Sequence, residues 1–460
     1  MIHPLSVLLL SVLLSACSFS RPAVITEPPQ GLPTRFSLPS ESRDQEFPWW
    51  QALNSIELNH LMEQGVQGNF TIRDAWARLD QTRFEAVKAG AARFPQVDLG
   101  VSGSRFEIKN RGRQQGETEW SLGVAASYEL DLWGRIAAGR ESAILRAEAS
   151  HEDLQAAVVT VTGEIARQWV QLIAAKRQQE VLEQQLVLQQ ELLKLIKWRF
   201  VQGRSSALDI YQQQQAIEKI DAALIPVVSD WQLGKRRLAL LLGQADLDET
   251  LVRQQEFPAI STIPALGLPI DLLSSRPDVR AASLRLRDAE WTEIEARADR
   301  LPAVKLTASH TYSSENPGSL FDNWLLNLVG NLATPLIDGR RRQAEVGRTG
   351  AVVDQRLVLY GETVINAVKE VEDSLVQEDH YRLLEASLQK QLRLSQQTLR
   401  EARNRYLSGT SDFLNVLQEE LNTLQLRQNL IAARENMIIA RITLHKALGG
   451  SWVANYLQEQ

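Results

Sequence analysis

Landmark residues recur along this chain at a nearly fixed offset. Pro95 and Pro302 lie 207 residues apart, Gly134 and Gly339 205, Gly203 and Gly409 206, and Gly243 and Gly449 206. A duplicated unit of about 206 residues restricts the fold to one built from two similar halves. Local matches agree: Ala92-Arg93-Phe94-Pro95 stands opposite Asp299-Arg300-Leu301-Pro302, Leu208-Asp209-Ile210 opposite Leu414-Asn415-Val416, and Leu242-Gly243 opposite Leu448-Gly449. Each copy reads as helix, proline break, two strands, glycine break, very long helix, glycine turn and shorter helix.

The long helices give the plainest pattern. Arg135 to Gln202 contains no proline, and apolar residues recur as Leu154, Val158, Val161, Ile165, Trp169 and Leu172, then as Leu182, Leu186, Leu193, Ile196 and Phe200. In the second copy Val353, Leu357, Tyr360, Val364, Val368, Val371 and Leu375 step at about 3.67 residues, the period of a straight or slightly right-handed helical pair. A helix of this length is a rod on the order of 100 Å, more than a globular core needs. Gln178, Gln179, Gln184, Gln185, Gln189 and Gln190 suit either a water-facing surface or the wall of a wet channel.

Between the proline and glycine breaks the period drops to two. Trp120, Leu122, Val124, Ala126, Tyr128 and Leu130 alternate with Ser121, Gly123, Ala125, Ser127 and Glu129, and Val97, Leu99 and Val101 with Asp98, Gly100 and Ser102. After Pro302, Val304, Leu306 and Ala308 alternate with Lys305, Thr307 and Ser309, and Leu326, Leu328 and Leu332 face away from Asn327 and Asn331. Each copy thus supplies one hairpin, with polar tips expected around Lys109 to Glu119 and Ser313 to Gly318. Strands of about 12 residues with aromatic ends fit an outer-membrane barrel, although a soluble sandwich face would alternate in the same way. Four strands cannot close a barrel in lipid, because an open edge leaves backbone groups unsatisfied. Two copies would supply 8 strands and three would supply 12, and only the larger number leaves room for an aqueous lumen.

The first residues carry an address. Leu5 to Ala16 is an apolar run of export-signal length, ending Leu14-Ser15-Ala16-Cys17. That ending resembles the lipobox of bacterial lipoproteins, which makes Cys17 the lipidation site and Ser18 an outer-membrane sorting residue. The alternative is a buried free cysteine. Pro22, Pro28, Pro29, Pro33 and Pro39 follow in an extended tether. No later segment reaches 18 continuous apolar residues, so any crossing of a membrane falls to the strands. A single cysteine excludes a disulfide framework, and 50 basic against 56 acidic residues, a net charge of -6, argues against a nucleic-acid partner.

On these features the chain resembles the TolC-like outer-membrane channels of tripartite efflux systems, in particular their lipoprotein branch related to OprM and NodT. The resemblance rests on Tyr128-Glu129-Leu130-Asp131-Leu132-Trp133-Gly134-Arg135, Arg276-Pro277-Asp278-Val279-Arg280-Ala281-Ala282 and Ala447-Leu448-Gly449-Gly450-Ser451-Trp452. It implies a mainly α fold with β: a trimeric 12-stranded transmembrane β-barrel continuous with a 12-helix periplasmic α-barrel. The divisions are then a signal peptide 1–16, a lipidated tether and equatorial segment 17–50, a first repeat 51–246, an equatorial linker 247–270, a second repeat 271–448 and an equatorial tail 449–460. The implied function is a passive conduit for small molecules across periplasm and outer membrane. Its implied partners are two further copies, outer-membrane lipid, a periplasmic adaptor protein and an inner-membrane transporter of the RND type. The alternative is a lipid-anchored periplasmic coiled-coil adaptor or structural spacer.

The resemblance places a gate where long helix turns into short helix, at Phe200 to Leu208 and Tyr406 to Leu414. It implies that Asp209 pairs with Tyr406, that Leu414 belongs to an apolar ring, and that Gly203 and Gly409 sit in turns that dock the adaptor. Asn415, Gln418 and Ser411 stand where better-known members place two lumen aspartates and an arginine, while Asp412, Glu419 and Glu420 keep the region acidic. An enzyme is not expected: the six histidines are scattered, and neither a nucleophile motif nor a phosphate loop is present. Neither a cofactor nor a metal is expected. Glu370, Glu372, Asp373, Glu378, Asp379 and His380 read as a solvated acidic face, and Asn69 as surface.

Overall fold

The computed structural model describes residues 32–37, 48–110, 113–247, 252–260, 263–450, 452–453 and 456. The export segment 1–16, Cys17 and most of the tether lie outside the described residues, as do parts of the linker and tail. The first copy contains α1 (Ile56–Gly68), α2 (Phe70–Ala91), β1 (Gln96–Asn110), β2 (Arg113–Leu130), α3 (Arg135–Val201) and α4 (Ala207–Leu241). The second contains α5 (Pro277–Ala298), β3 (Ala303–Ser314), β4 (Trp324–Ala333), α6 (Arg341–Leu407) and α7 (Phe413–Leu448). Counterparts agree closely: α2 and α5 have 22 residues each, α3 and α6 have 67 each, and α4 and α7 have 35 and 36.

Contacts divide the chain into two compact units, and the division cuts across both repeats. One unit takes Ala77–His151 and Arg280–Glu362; the other takes Pro28–Trp76, Glu152–Val279 and Thr363–Gln460. Each unit therefore draws on both copies, as expected if neither copy buries its own apolar faces alone.

The first unit holds one antiparallel sheet in the order β1-β2-β3-β4. Its register joins the alternating residues into rows, for example Leu99–Val124–His310–Leu326 and Val97–Ala126–Ala308–Leu328. The apolar rows run from Trp120 to Leu130 along β2, roughly 34 Å of strand, or about 25 Å of height at a membrane tilt of about 40°. The other face carries small polar groups, as in the row Asp98–Ala125–Ser309–Asn327. His310 lies on the apolar face, stacked on Trp324 at 5.5 Å with Tyr312 edge-on at 5.0 Å. The first hairpin exceeds expectation: Arg105 pairs with Thr118 and Asn110 with Arg113, so residues assigned to a polar tip form a ladder. Backbone pairing beyond the apolar rows needs no alternation of side chains, which is why the period-two pattern did not reveal it.

The Tyr128–Arg135 motif turns strand into helix. Asp131 accepts from the N–H groups of Ile136 (3.0 Å) and Ala137 (2.7 Å), Arg135 pairs with Glu129 at 2.6 Å, and the Trp133 indole donates to the Pro302 carbonyl at 2.7 Å. Gly134 supplies a positive φ of 73°.

The second unit is helical, and the stripe read from the sequence is its core. Leu154, Val158, Ile165 and Trp169 are fully buried, and Val364, Val371 and Leu375 nearly so, whereas Phe200 is exposed; Leu357, where the stripe of α6 runs in the first unit, is exposed too. Asn69 is buried rather than at the surface: its side chain accepts from Thr71 and Ile72 at the start of α2 and donates to the Leu241 carbonyl at 2.7 Å. The two remaining motifs meet here. The buried Arg276 guanidinium binds Asp278, Glu370 and the Ala447 carbonyl, at 2.7, 2.8 and 2.9 Å. Trp50 packs edge-on against Trp452 and Tyr456, and Trp49 stacks on His445. Among the described residues no helix is long and apolar enough to cross a membrane.

Candidate functional site

Both long helices end in the same turn. Arg204 N–H bonds the Arg199 carbonyl (2.8 Å) and Gly203 N–H the Phe200 carbonyl (2.9 Å); Thr410 N–H bonds Arg405 (2.9 Å) and Gly409 N–H bonds Tyr406 (3.1 Å). These paired bonds from the residues at and after a left-handed position satisfy the last carbonyls of a helix. Gly203 and Gly409 occupy that position with φ of 68° and 76°, and a Cβ at either would meet nothing within 4 Å. The glycines thus answer to backbone conformation, and the surface around them is open.

Asp209 lies in the first turn of α4 and closes a capping box with Ser206, each bonding the other's backbone N–H. Its carboxylate also accepts from Ser205 Oγ at 2.6 Å. Burial alone would raise the Asp209 carboxyl; the bonds from Ser205 and Ser206, with Arg199 nearby, outweigh it and hold the group below its ordinary value. Tyr406, in the last turn of α6, is buried, and its hydroxyl reaches Ser205 Oγ at 3.5 Å. Asp209 and Tyr406 therefore do not bond directly within one copy: Ser205 stands between them. The Arg199 guanidinium lies 4.7 Å from the Tyr406 ring centroid, and Phe413 packs on the same ring at 5.4 Å. Ile196, Ala216, Leu399, Val416 and Leu417 complete this small core.

Leu414 stands apart, 54% exposed in the first turn of α7. Asn415 and Gln418 share its exposed face, and Asn415 donates to Ser411 Oγ at 2.9 Å. That face sets one apolar side chain among uncharged polar ones, with the exposed Asp412 at its start. Glu420 does not keep it acidic: the carboxylate is 3% exposed, accepts from Arg403 Nε at 2.9 Å and from Gln185 Nε2 at 3.0 Å, and so ties α7 to α6 and α3. Gln185 and Gln189 are likewise buried, the latter bonded to Gln213 at 2.6 Å, and line neither a surface nor a channel wall. Helical periodicity could not find these groups, since their partners lie 235 and 24 residues away. The Ser206–Asp209 box was readable as a Ser-x-x-Asp spacing; Arg199 carried no such signal.

The acidic face on α6 is also partly internal. Glu378 and Arg441 form a buried two-point pair, at 2.8 and 2.5 Å, Glu370 binds Arg276, and Glu372 accepts from both N–H (2.9 Å) and hydroxyl (2.5 Å) of Ser37. Among the described residues no group of three or more candidate ligands could hold a metal ion.

Residues 61–244 and 268–450 match the model of a family described as outer membrane efflux protein, one match in each repeat. The pyoverdine export outer membrane protein OpmQ of Pseudomonas putida is 28% identical over 470 residues, covering 98% of each chain. The probable outer membrane lipoprotein SilC of Salmonella typhimurium is 25% identical over 436 residues, 93% of this chain and 94% of its own. Among solved structures, the outer-membrane channel OprN superposes with a TM-score of 0.86 at 25% identity, over 92% of this chain and 97% of that one.

Proposed function

Because the chain belongs to the outer membrane efflux protein family, its model matching both repeats, we propose that this protein works as a homotrimer forming a passive outer-membrane efflux conduit, gated at the paired helix turns. The observation that carries the assembly is the sheet. Its four strands leave β1 and β4 with open edges, while its apolar rows match the height of a bilayer core. Such a sheet is stable in lipid only as part of a closed cylinder. An adaptor or spacer would need the long helices but not these strands, so that alternative is set aside.

The reading extends to partners. The open surface around Gly203 and Gly409 supports docking of a periplasmic adaptor, which would link the conduit to an inner-membrane transporter of the RND type. The name of SilC supports lipidation at Cys17. Opening is then a population shift in which adaptor contacts favour parted turns. The gate consists of Asp209, held by Ser205 and Ser206, and Tyr406, held by Arg199 and Phe413, with Leu414 on the exposed face of α7. Purified protein should run as a heat-modifiable trimer from outer-membrane fractions and form channels in planar lipid films; a monomer without conductance overturns the assembly. Asp209→Ala and Tyr406→Phe should raise single-channel conductance, and unchanged values in both would remove these residues from the gate.

A further inference from the structure

The first unit carries its most exposed apolar side chains beside the sheet rather than on it. Leu336 and Ile337, in the connector between β4 and α6, are 87% and 96% exposed. They are held out by anchored ends: Ala333 closes the β4 ladder opposite Ala303, and Asp338 accepts from the Arg342 N–H at 3.2 Å at the start of α6. Pro335 fixes φ and removes a donor between those anchors. At the opposite edge Phe94 precedes β1, and Phe84 and Val87 stand one turn apart on α2, the helix that leads into that strand; Phe84, Val87 and Phe94 are 73%, 70% and 70% exposed. Within one copy the two groups flank edge strands separated by three strand spacings, roughly 14 Å, so neither covers the other through the sheet.

The register says what does. Gln96 pairs with Ser127, Leu130 with Val304 and Ala303 with Ala333, so the start of β1 and the end of β4 lie at the same end of the sheet. With an even number of antiparallel strands, a β4 edge meeting the β1 edge of another copy continues the alternation. The chain leaving β4 then emerges beside the chain entering β1 of its neighbour. We propose that Leu336 and Ile337 of one copy seat against Phe84, Val87 and Phe94 of the next, forming an apolar plug at the foot of each intersubunit strand seam. This inference rests on the oligomeric channel reading and adds the side chains that recognise the second copy.

Cross-linking separates the two ideas. The sequence contains one cysteine, Cys17, so introduced thiols report cleanly. Phe94→Cys and Ile337→Cys would be placed on differently tagged copies and expressed together, alongside a seam pair, Val97→Cys and Leu332→Cys. Oxidation or a short bis-maleimide should join the tags in both pairs, and both changes in one chain should give a ladder to trimer. If the seam pair links and the 94–337 pair does not, or links only within one copy, the plug is wrong while the channel stands. If neither links, the assembly itself fails. As a second measurement, the Leu336→Ser/Ile337→Ser double change should leave the helical signal intact but lower the temperature at which trimer gives way to monomer on gels. An unchanged temperature overturns the proposal.

Discussion

At the scale of single residues, the helical unit is held by charges in unequal surroundings. Glu420 is 3% exposed, whereas the Arg403 side chain paired with it is 44% exposed. Removing Arg403 strands a carboxylate inside, while neutralising Glu420 leaves an arginine that can reach water. Arg403→Ala should therefore destabilise the helices by about 2 to 3 kcal/mol, less than for a fully buried pair because the arginine is partly solvated, and Glu420→Gln by less; thermal unfolding of the two variants checks the order. Two further groups oppose each other with pH. Burial, reinforced by Arg441, lowers His445 to about 3, so below its unfolded value of 6.5 the unfolded chain takes a proton that the fold refuses. Stability present above pH 6.5 is lost as pH falls toward 3. Burial raises Glu435 from 4.5 to about 7, so the fold keeps a proton that the unfolded chain has released, and stability is lost as pH rises through that window. His445→Phe should flatten the acid limb of a denaturation profile and Glu435→Gln the limb between 4.5 and 7; profiles matching the parent would show that neither group is coupled to folding.

At the scale of elements, glycines with the same sign of φ do different work. Gly409 has φ of 76° and nothing near its missing Cβ, whereas at Gly449, φ 70°, a Cβ would meet the Ser275 carbonyl oxygen at 2.6 Å and Arg276 Cα at 3.2 Å. Gly409→Ala should cost only the left-handed strain, roughly 1–2 kcal/mol. Gly449→Ala must also push the end of α7 off the turn carrying Arg276, and its unfolding midpoint should fall at least twice as far. The order of elements was legible because it depends on local signals: prolines and glycines at fixed offsets, a period of two, and a period near 3.6. What escaped was set by partners distant in sequence. Nothing local marks Gln185 as the neighbour of Glu420, Glu378 as that of Arg441, or Ser205 as the group between Asp209 and Tyr406. The same holds for Asn69, whose sequence context suggests surface and whose Leu241 partner lies 172 residues on.

At the scale of the whole molecule, the duplication accounts for the several copies in the proposed assembly. Each repeat contributes two strands and one pair of long helices. A chain with two repeats reaches four strands, enough to define an inside and an outside but not to close. The two faces of that sheet therefore have different tolerances. Leu328 lies in the row Val97–Ala126–Ala308–Leu328, near the middle of the apolar height, and Asn327 lies one residue away on the polar face. Leu328→Arg places a charge against hydrocarbon, a penalty of about 2–4 kcal/mol per copy near the midplane, and every subunit of the oligomer bears it. The yield of heat-modifiable trimer in outer-membrane fractions should fall sharply. Asn327→Arg adds the same charge facing water, so trimer yield should hold while the reversal potential in planar films moves toward anion preference. Equal losses in both variants would mean that the alternation does not separate lipid from lumen. Unequal losses with no change in selectivity would place the polar face away from the conducting path.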